Sequence, residues 1–260
     1  MPNSQLIIFL VEWMGVVAVT LLLSLSPAFK TRRPVKFVFA RREVIIALAL
    51  FVAITAFLGF VVSRSQQPIL PPVSLALTNP RTTFVYTPDD LLRQAALTGA
   101  MLIPFLLALA IRRQPLLSAG LSRRVLKPGL QLGAALALIT IFLTNKTYSI
   151  LYGLSTSQGI YLVAMLVVAF VEEFIFRGYI QLRLMDWLGE TWGWIATAVL
   201  FVVWQLPQRL LVEGGTLADT AIRLGVMLVF GLLLGWIMRR SGSVLATTLF
   251  HAAHNWIMVL

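Results

Sequence analysis

Two adjacent carboxylates and a guanidinium occur in the segment FVEEFIFRGY, which directly follows the apolar run GIYLVAMLVVAF. Residues four apart share a face of an α-helix, so Glu173 can pair with Arg177, whereas the preceding Glu172 points about 100° away. The pairing is expected to hold Glu173 ionised, and it leaves Glu172 as the candidate general base. A simpler alternative is an ion pair at the membrane interface with a second glutamate reaching water.

Imidazole and amide groups occur in two later apolar segments. Both histidines of the chain lie in LFHAAHNWIMVL, where His251 and Asn255 are four apart and His254 is three residues after His251. A single buried histidine is commonly a hydrogen-bonded core residue, but two beside an asparagine are harder to explain by packing. The segment LFVVWQLPQRL contains Gln205, for which a hydrogen bond across a helix interface is the simplest explanation.

The elements that must position these residues are predicted from the composition. The 260 residues are 59% hydrophobic and only 12% charged, whereas soluble domains are about a quarter charged. Backbone groups in lipid must bond internally, and the apolar runs are continuous rather than alternating, so we predict an all-α polytopic helix bundle. The predicted spans number about eight. They are Leu6–Ser26, Val44–Ser63, Leu92–Ile111, Gly129–Thr144, Gly159–Tyr179, Gly193–Leu210, Thr220–Met238 and Ser243–Leu260.

The net charge of +11 is concentrated in alternate connections, which predicts that these connections are cytoplasmic. Basic residues follow the first, third and seventh spans, and Arg177 and Arg183 lie near the end of the fifth. The distribution favours membrane orientation and contact with anionic lipid, and no nucleic acid partner is expected. We predict a multi-pass protein of the bacterial inner (plasma) membrane with both termini outside. Glu12, within the first span, is expected to face another helix or the nearby surface.

In order and spacing, the three polar segments resemble the motifs of the CPBP family of intramembrane proteases, the CAAX prenyl protease and bacteriocin-processing (Abi) group. EEFIFR matches the family pattern E-E-x-x-x-R, and HAAHN matches H-x-x-x-N/D. The second motif, F-x-x-x-H, is FVVWQ here, so Gln205 replaces its histidine. The resemblance covers about residues 157–260. We therefore divide the chain into N-terminal membrane helices of unassigned role, 1–145, and a protease core, 146–260.

The resemblance implies an endopeptidase that cleaves a membrane-associated peptide or protein with a glutamate-activated water. Glu172 would be the base, and Glu173 with Arg177 would fix its helix. His251 and Asn255 would orient the water or stabilise the oxyanion. The amide of Gln205 can still donate a hydrogen bond to an oxyanion or a water, but it cannot accept and return a proton as histidine can.

Members of this family have been described as metal-dependent and as glutamate-dependent without metal. Zinc prefers His, Cys and carboxylate ligands, so a divalent metal here would rely on Glu172, His251 and Asn255, and no cofactor is expected. Two other functions stay open. One is a catalytically inactive relative that acts as a membrane binding or scaffold protein, and the other is an ion-coupled transporter with Glu172, Glu173 and His251 as its relay.

Overall fold

A computed structural model describes residues 3–30, 35–66, 87–213, 216–257 and 260. The secondary structure of this part of the chain is helical, without a strand, so the prediction of an all-α membrane bundle is confirmed. The α-helices are α1 (Asn3–Ser24), α2 (Pro27–Lys30), α3 (Ala40–Ser65), α4 (Pro88–Ile111), α5 (Arg123–Leu143), α6 (Thr147–Leu151), α7 (Thr156–Glu173), α8 (Gln181–Leu188), α9 (Glu190–Leu211), α10 (Leu217–Ser241) and α11 (Val244–Trp256).

Within the described residues, seven helical segments are long and apolar enough to cross a bilayer, one fewer than the sequence predicted. The difference lies at the last predicted span, where α11 has only 13 residues. At 1.5 Å per residue it is about 20 Å long, short of the ~30 Å hydrocarbon core. Most of α11 is buried, and it packs mainly against α5 and α7. It is therefore an interior helix, and it carries both histidines.

Two glycines of α5 allow α11 to approach closely. A Cβ atom on Gly133 would lie 2.9 Å from the Cβ of Leu249, and one on Gly129 would lie 2.6 Å from the Cβ of Ser243. Any larger residue would force the two backbones apart. The fourth span, predicted from Gly129, begins six residues earlier at Arg123.

The fifth span also extends beyond its prediction. It was expected to end at Tyr179, but α7, a π-helical segment (Phe174–Ile180) and α8 form one rod that ends at Leu188. Arg183 is the reason, because it is buried rather than placed in a basic loop. Its Nε lies 3.5 Å from Glu43 Oε2, and its Nη2 donates to Gln114 Oε1 at 2.6 Å. These partners compensate the charge, so the helix continues past it.

The π-helical segment begins directly after Glu173 and contains Arg177. All of its residues are buried, and a Cβ atom on Gly178 would lie 2.3 Å from the carbonyl oxygen of Ala119. Such wider turns inside α-helices occur frequently at functional sites. The segment belongs to an apolar cluster with α3, α4 and α9, whereas a second cluster combines α1, α5, α10 and α11. The polar ends of α7 and α11 meet between these clusters.

Candidate active site

Glu173 and Arg177 form a buried ion pair, and the imidazole of His251 joins it. Arg177 Nη1 lies 3.1 Å from Glu173 Oε1, and His251 Nδ1 lies 2.9 Å from the same oxygen. All three side chains are buried. Because an ionised carboxylate only accepts hydrogen bonds, Nδ1 of His251 carries a proton. Glu173 therefore sets both the tautomer and the orientation of this imidazole.

Glu172 faces the other nitrogen of the same ring. Its Oε2 lies 3.6 Å from His251 Nε2. Its Oε1 is buried and makes no hydrogen bond with any residue that the structure describes. The two adjacent acids thus have different surroundings, because Glu173 takes the close contact with Arg177. The sequence did not predict that a single imidazole would lie between them.

Arg177 connects the site to two further helices. Its Nη2 donates to the carbonyl oxygen of Gly231 in α10 at 3.4 Å. Its guanidinium carbon lies 4.3 Å above the centre of the Phe201 ring of α9, a favourable cation–π arrangement. The edge of the same ring approaches His251, with 6.3 Å between the ring centres. Phe201, the first residue of the second motif, therefore packs against both the guanidinium and the imidazole.

Gln205, one turn after Phe201 on α9, is buried and held by Arg209. Arg209 Nη2 donates to Gln205 Oε1 at 3.0 Å, and Arg209 is itself buried and paired with Glu213. A guanidinium has donors only, so the amide oxygen of Gln205 faces Arg209 and its NH2 group points away. The charge of Arg209 also acts electrostatically on Glu172. Arg209 was not predicted from the sequence, although its spacing of four from both Gln205 and Glu213 is a helical pairing signal.

Neither His254 nor Asn255 hydrogen-bonds to the carboxylates of α7 in the described part of the chain. Asn255 is half-buried one turn after His251, and it makes no hydrogen bond within the described part of the chain. His254 points to another face of the helix, as its spacing predicts, and it pairs with Glu12 of α1 at 2.9 Å. Glu12 thus faces another helix rather than the surface.

The donor set does not fit a zinc site with three protein ligands. Glu173 Oε1 is occupied by Arg177 and His251, and the oxygen of Gln205 by Arg209. Of the remaining donors, Glu172 Oε2 and Nε2 of His251 face each other at 3.6 Å. Across the described ranges, no group of three or more His, Cys, Asp or Glu side chains has the geometry to hold a metal ion.

The fold and the site together define a multi-pass membrane protein with an ionisable cluster buried among its helices. In membrane proteins, such clusters mark catalytic sites or transport pathways. Residues 154–257 match the model of a protein family described as Type II CAAX prenyl endopeptidase Rce1-like. Over these residues the resemblance to the CAAX protease family is confirmed.

The matched segment contains the three polar motifs and begins after α6. Helices α1 to α6 therefore lie outside the match. No curated protein and no solved structure matches the chain.

Proposed function

We propose that this protein is an intramembrane endopeptidase in which Glu172 activates the water that attacks the peptide bond. One observation carries the proposal. A buried carboxylate with one unpaired oxygen lies 3.6 Å from an imidazole nitrogen whose ring is fixed from its other side by Glu173. A general base needs this combination of burial, free lone pairs and a positioned neighbour. The family match supports a protease in general.

The proton transfers follow from the tautomer of His251. With its proton on Nδ1, held by Glu173, the ring directs the lone pair of Nε2 toward Glu172. A water at hydrogen-bond distance from both groups would donate one hydrogen to each. As the water oxygen bonds to the substrate carbonyl carbon, Glu172 takes a proton from it. Glu172 then delivers this proton to the leaving amide nitrogen as the carbon–nitrogen bond breaks.

The tetrahedral intermediate places a negative charge on the former carbonyl oxygen, and Gln205 is our candidate to stabilise it. Its oxygen is held by Arg209, so its NH2 group is the part left to donate. One well-aimed donor typically contributes about 3–4 kcal/mol to such an intermediate. The positive charge of buried Arg209 would add to the stabilisation, and Asn255 is a second candidate amide one turn from His251.

Truncation of Gln205 tests this role. In proteoliposomes given a farnesylated CAAX peptide, we expect Gln205→Ala to lower the cleavage rate about 10²–10³-fold, because one oxyanion donor is lost. The matched control is Thr197→Ala, a buried position on the same helix whose hydroxyl donates to the backbone carbonyl of Gly193. Equal rates for the two variants would contradict the role of Gln205.

A second candidate function is a catalytically inactive relative that binds a membrane peptide without cutting it. The observation that favours it is Gln205 itself, because glutamine cannot shuttle a proton where the family motif has histidine. This function predicts no cleavage by the wild-type protein and a gain of cleavage in Gln205→His. The endopeptidase predicts measurable cleavage by the wild type. The same peptide assay, read by mass spectrometry of the products, separates the two.

A further inference from the structure

A second buried acid–imidazole pair lies outside the proposed catalytic residues. The two oxygens of Glu12 lie 2.9 and 3.1 Å from Nδ1 of His254. Thr140 of α5 donates a further hydrogen bond to Glu12 Oε1 at 3.1 Å. Glu12 is fully buried, although it belongs to α1, which lies outside the family match. The proposed proton transfers make no use of it.

The pair holds α11 through a different helix from the one that carries the catalytic carboxylates. His251 and His254 are three residues apart, so their directions differ by about 60° around the helix axis. Glu173 of α7 accepts from Nδ1 of the first histidine, and Glu12 of α1 faces Nδ1 of the second. Rotation of α11 about its axis moves both rings together, so each hydrogen bond opposes it.

One aromatic ring lies against both imidazoles. The ring of Phe230 in α10 is stacked on His254, with centres 4.6 Å apart and planes at 27°. It also meets His251 at 5.1 Å and 75°, an edge-on contact. Because buried side chains are close-packed, a shift of His254 displaces Phe230 and thereby changes the space available to His251.

We propose that Glu12 is a positioning residue for the active site. Through His254 it sets the rotation of α11, and so it keeps His251 Nε2 within reach of Glu172. The inference rests on the proposed function for the catalytic role of His251. The effect of Glu12 on the position of the His251 ring does not depend on that role. It assigns a role to α1: the N-terminal helices supply a carboxylate that completes the arrangement of the matched core.

The chain contains only two histidines, so ¹⁵N-labelling of histidine reports both rings separately. In the full-length protein in lipid nanodiscs, we expect each imidazole to give one set of signals with a proton on Nδ1. In Glu12→Ala, the signals of His251 should shift and split or broaden, although the substitution lies on another helix. In Glu12→Gln they should stay as in the wild type, because an amide oxygen still accepts the Nδ1 hydrogen.

Two further variants keep the test decisive. Glu12→Leu combined with His254→Phe removes both polar partners at once, which a buried site tolerates better than the loss of one. The double variant has a single histidine, His251, and we expect its signals to be shifted and heterogeneous. The control is Thr20→Ala, another fully buried position on α1, which should leave both rings unchanged.

The inference is overturned if His251 keeps its wild-type signals in Glu12→Ala or in the double variant. The same holds if Thr20→Ala disturbs His251 as strongly, since the effect would then reflect loosened packing of α1. The spectra need no substrate and no cleavage. A wild-type protein that cuts no peptide would therefore contradict the endopeptidase but not the positioning role of Glu12. Conversely, unchanged His251 signals in an active protein would contradict the positioning role but not the endopeptidase.

Discussion

Replacement of Glu172 by glutamine is expected to lower the rate of peptide cleavage about 10³-fold, within the usual range for a general base. The amide keeps the size and the burial of the side chain, so packing around α7 is preserved. It cannot accept a proton from water, and that is the function assigned to this carboxylate. Initial rates with a farnesylated CAAX peptide in proteoliposomes measure the loss.

The matched control is the same chemical change at a surface carboxylate, Glu190→Gln. The side chain of Glu190 is 61% exposed and pairs with Arg239 at 3.3 Å, far from any proposed chemistry. Both variants should unfold at the temperature of the wild type, and only Glu172→Gln should lose cleavage. A folded Glu172→Gln protein with the wild-type rate would contradict the assignment of the base.

Replacement of Arg177 by methionine is expected to lower the free energy of unfolding more than any of the other single substitutions proposed. Glu173 would keep its buried negative charge without the guanidinium that lies 3.1 Å away, and breaking a buried pair costs about 3–5 kcal/mol. The contacts of Arg177 with the Phe201 ring and the Gly231 carbonyl would also be lost. Unfolding in detergent, followed by heat or denaturant, measures the difference from the wild type.

Two comparisons show whether the uncompensated charge causes this loss. Arg239→Met is the same change at an ion pair whose glutamate is exposed and whose arginine is partly exposed, which should cost only about 1 kcal/mol. Glu173→Leu together with Arg177→Met removes both charges, and most of the stability should return. Cleavage should not return, because His251 no longer has the acceptor that fixes its tautomer. If Arg177→Met is as stable as Arg239→Met, Arg177 does not stabilise the protein by compensating the buried charge of Glu173.

The contact between Glu173 and Arg177 could be predicted from the sequence because it is local. A spacing of four places two side chains on one helix face whatever the rest of the fold does, and the contact survives the π-helical turns that the sequence did not reveal. The direction of His254 away from the site followed from the same geometry. The all-helical fold followed from apolar length and from the need to satisfy backbone hydrogen bonds in lipid.

Contacts between distant helices could not be predicted in this way. His251 and Glu173 are 78 residues apart, and no spacing rule states which faces of α7 and α11 meet. Only the resemblance to a protease family placed them in one site. The pair of Glu12 with His254 followed neither from a spacing rule nor from the family resemblance. The hydrogen bond from Arg209 to Gln205 is different, because its spacing of four is local and could have been predicted.

The predictions for the fifth and the last span failed for a related physical reason. Hydropathy alone does not distinguish a spanning helix from a shorter one buried among other helices, so the residues of α11 were predicted to form a full span. Arg183 was interpreted as part of a charged helix end, but Glu43 of α3 and Gln114 compensate it inside the bundle. For the fifth span, the tertiary partners of Arg183, which the local sequence does not contain, allow the helix to continue to Leu188.

The central claim is that Glu172 and His251 act on one water as a unit, and a double-mutant cycle on cleavage tests it most directly. Residues that act as a unit give strongly non-additive losses. We therefore expect Glu172→Gln, His251→Gln and the double variant to cleave at similar, greatly reduced rates. If the double variant instead loses the product of the two single losses, the residues act independently and the proposed site is contradicted.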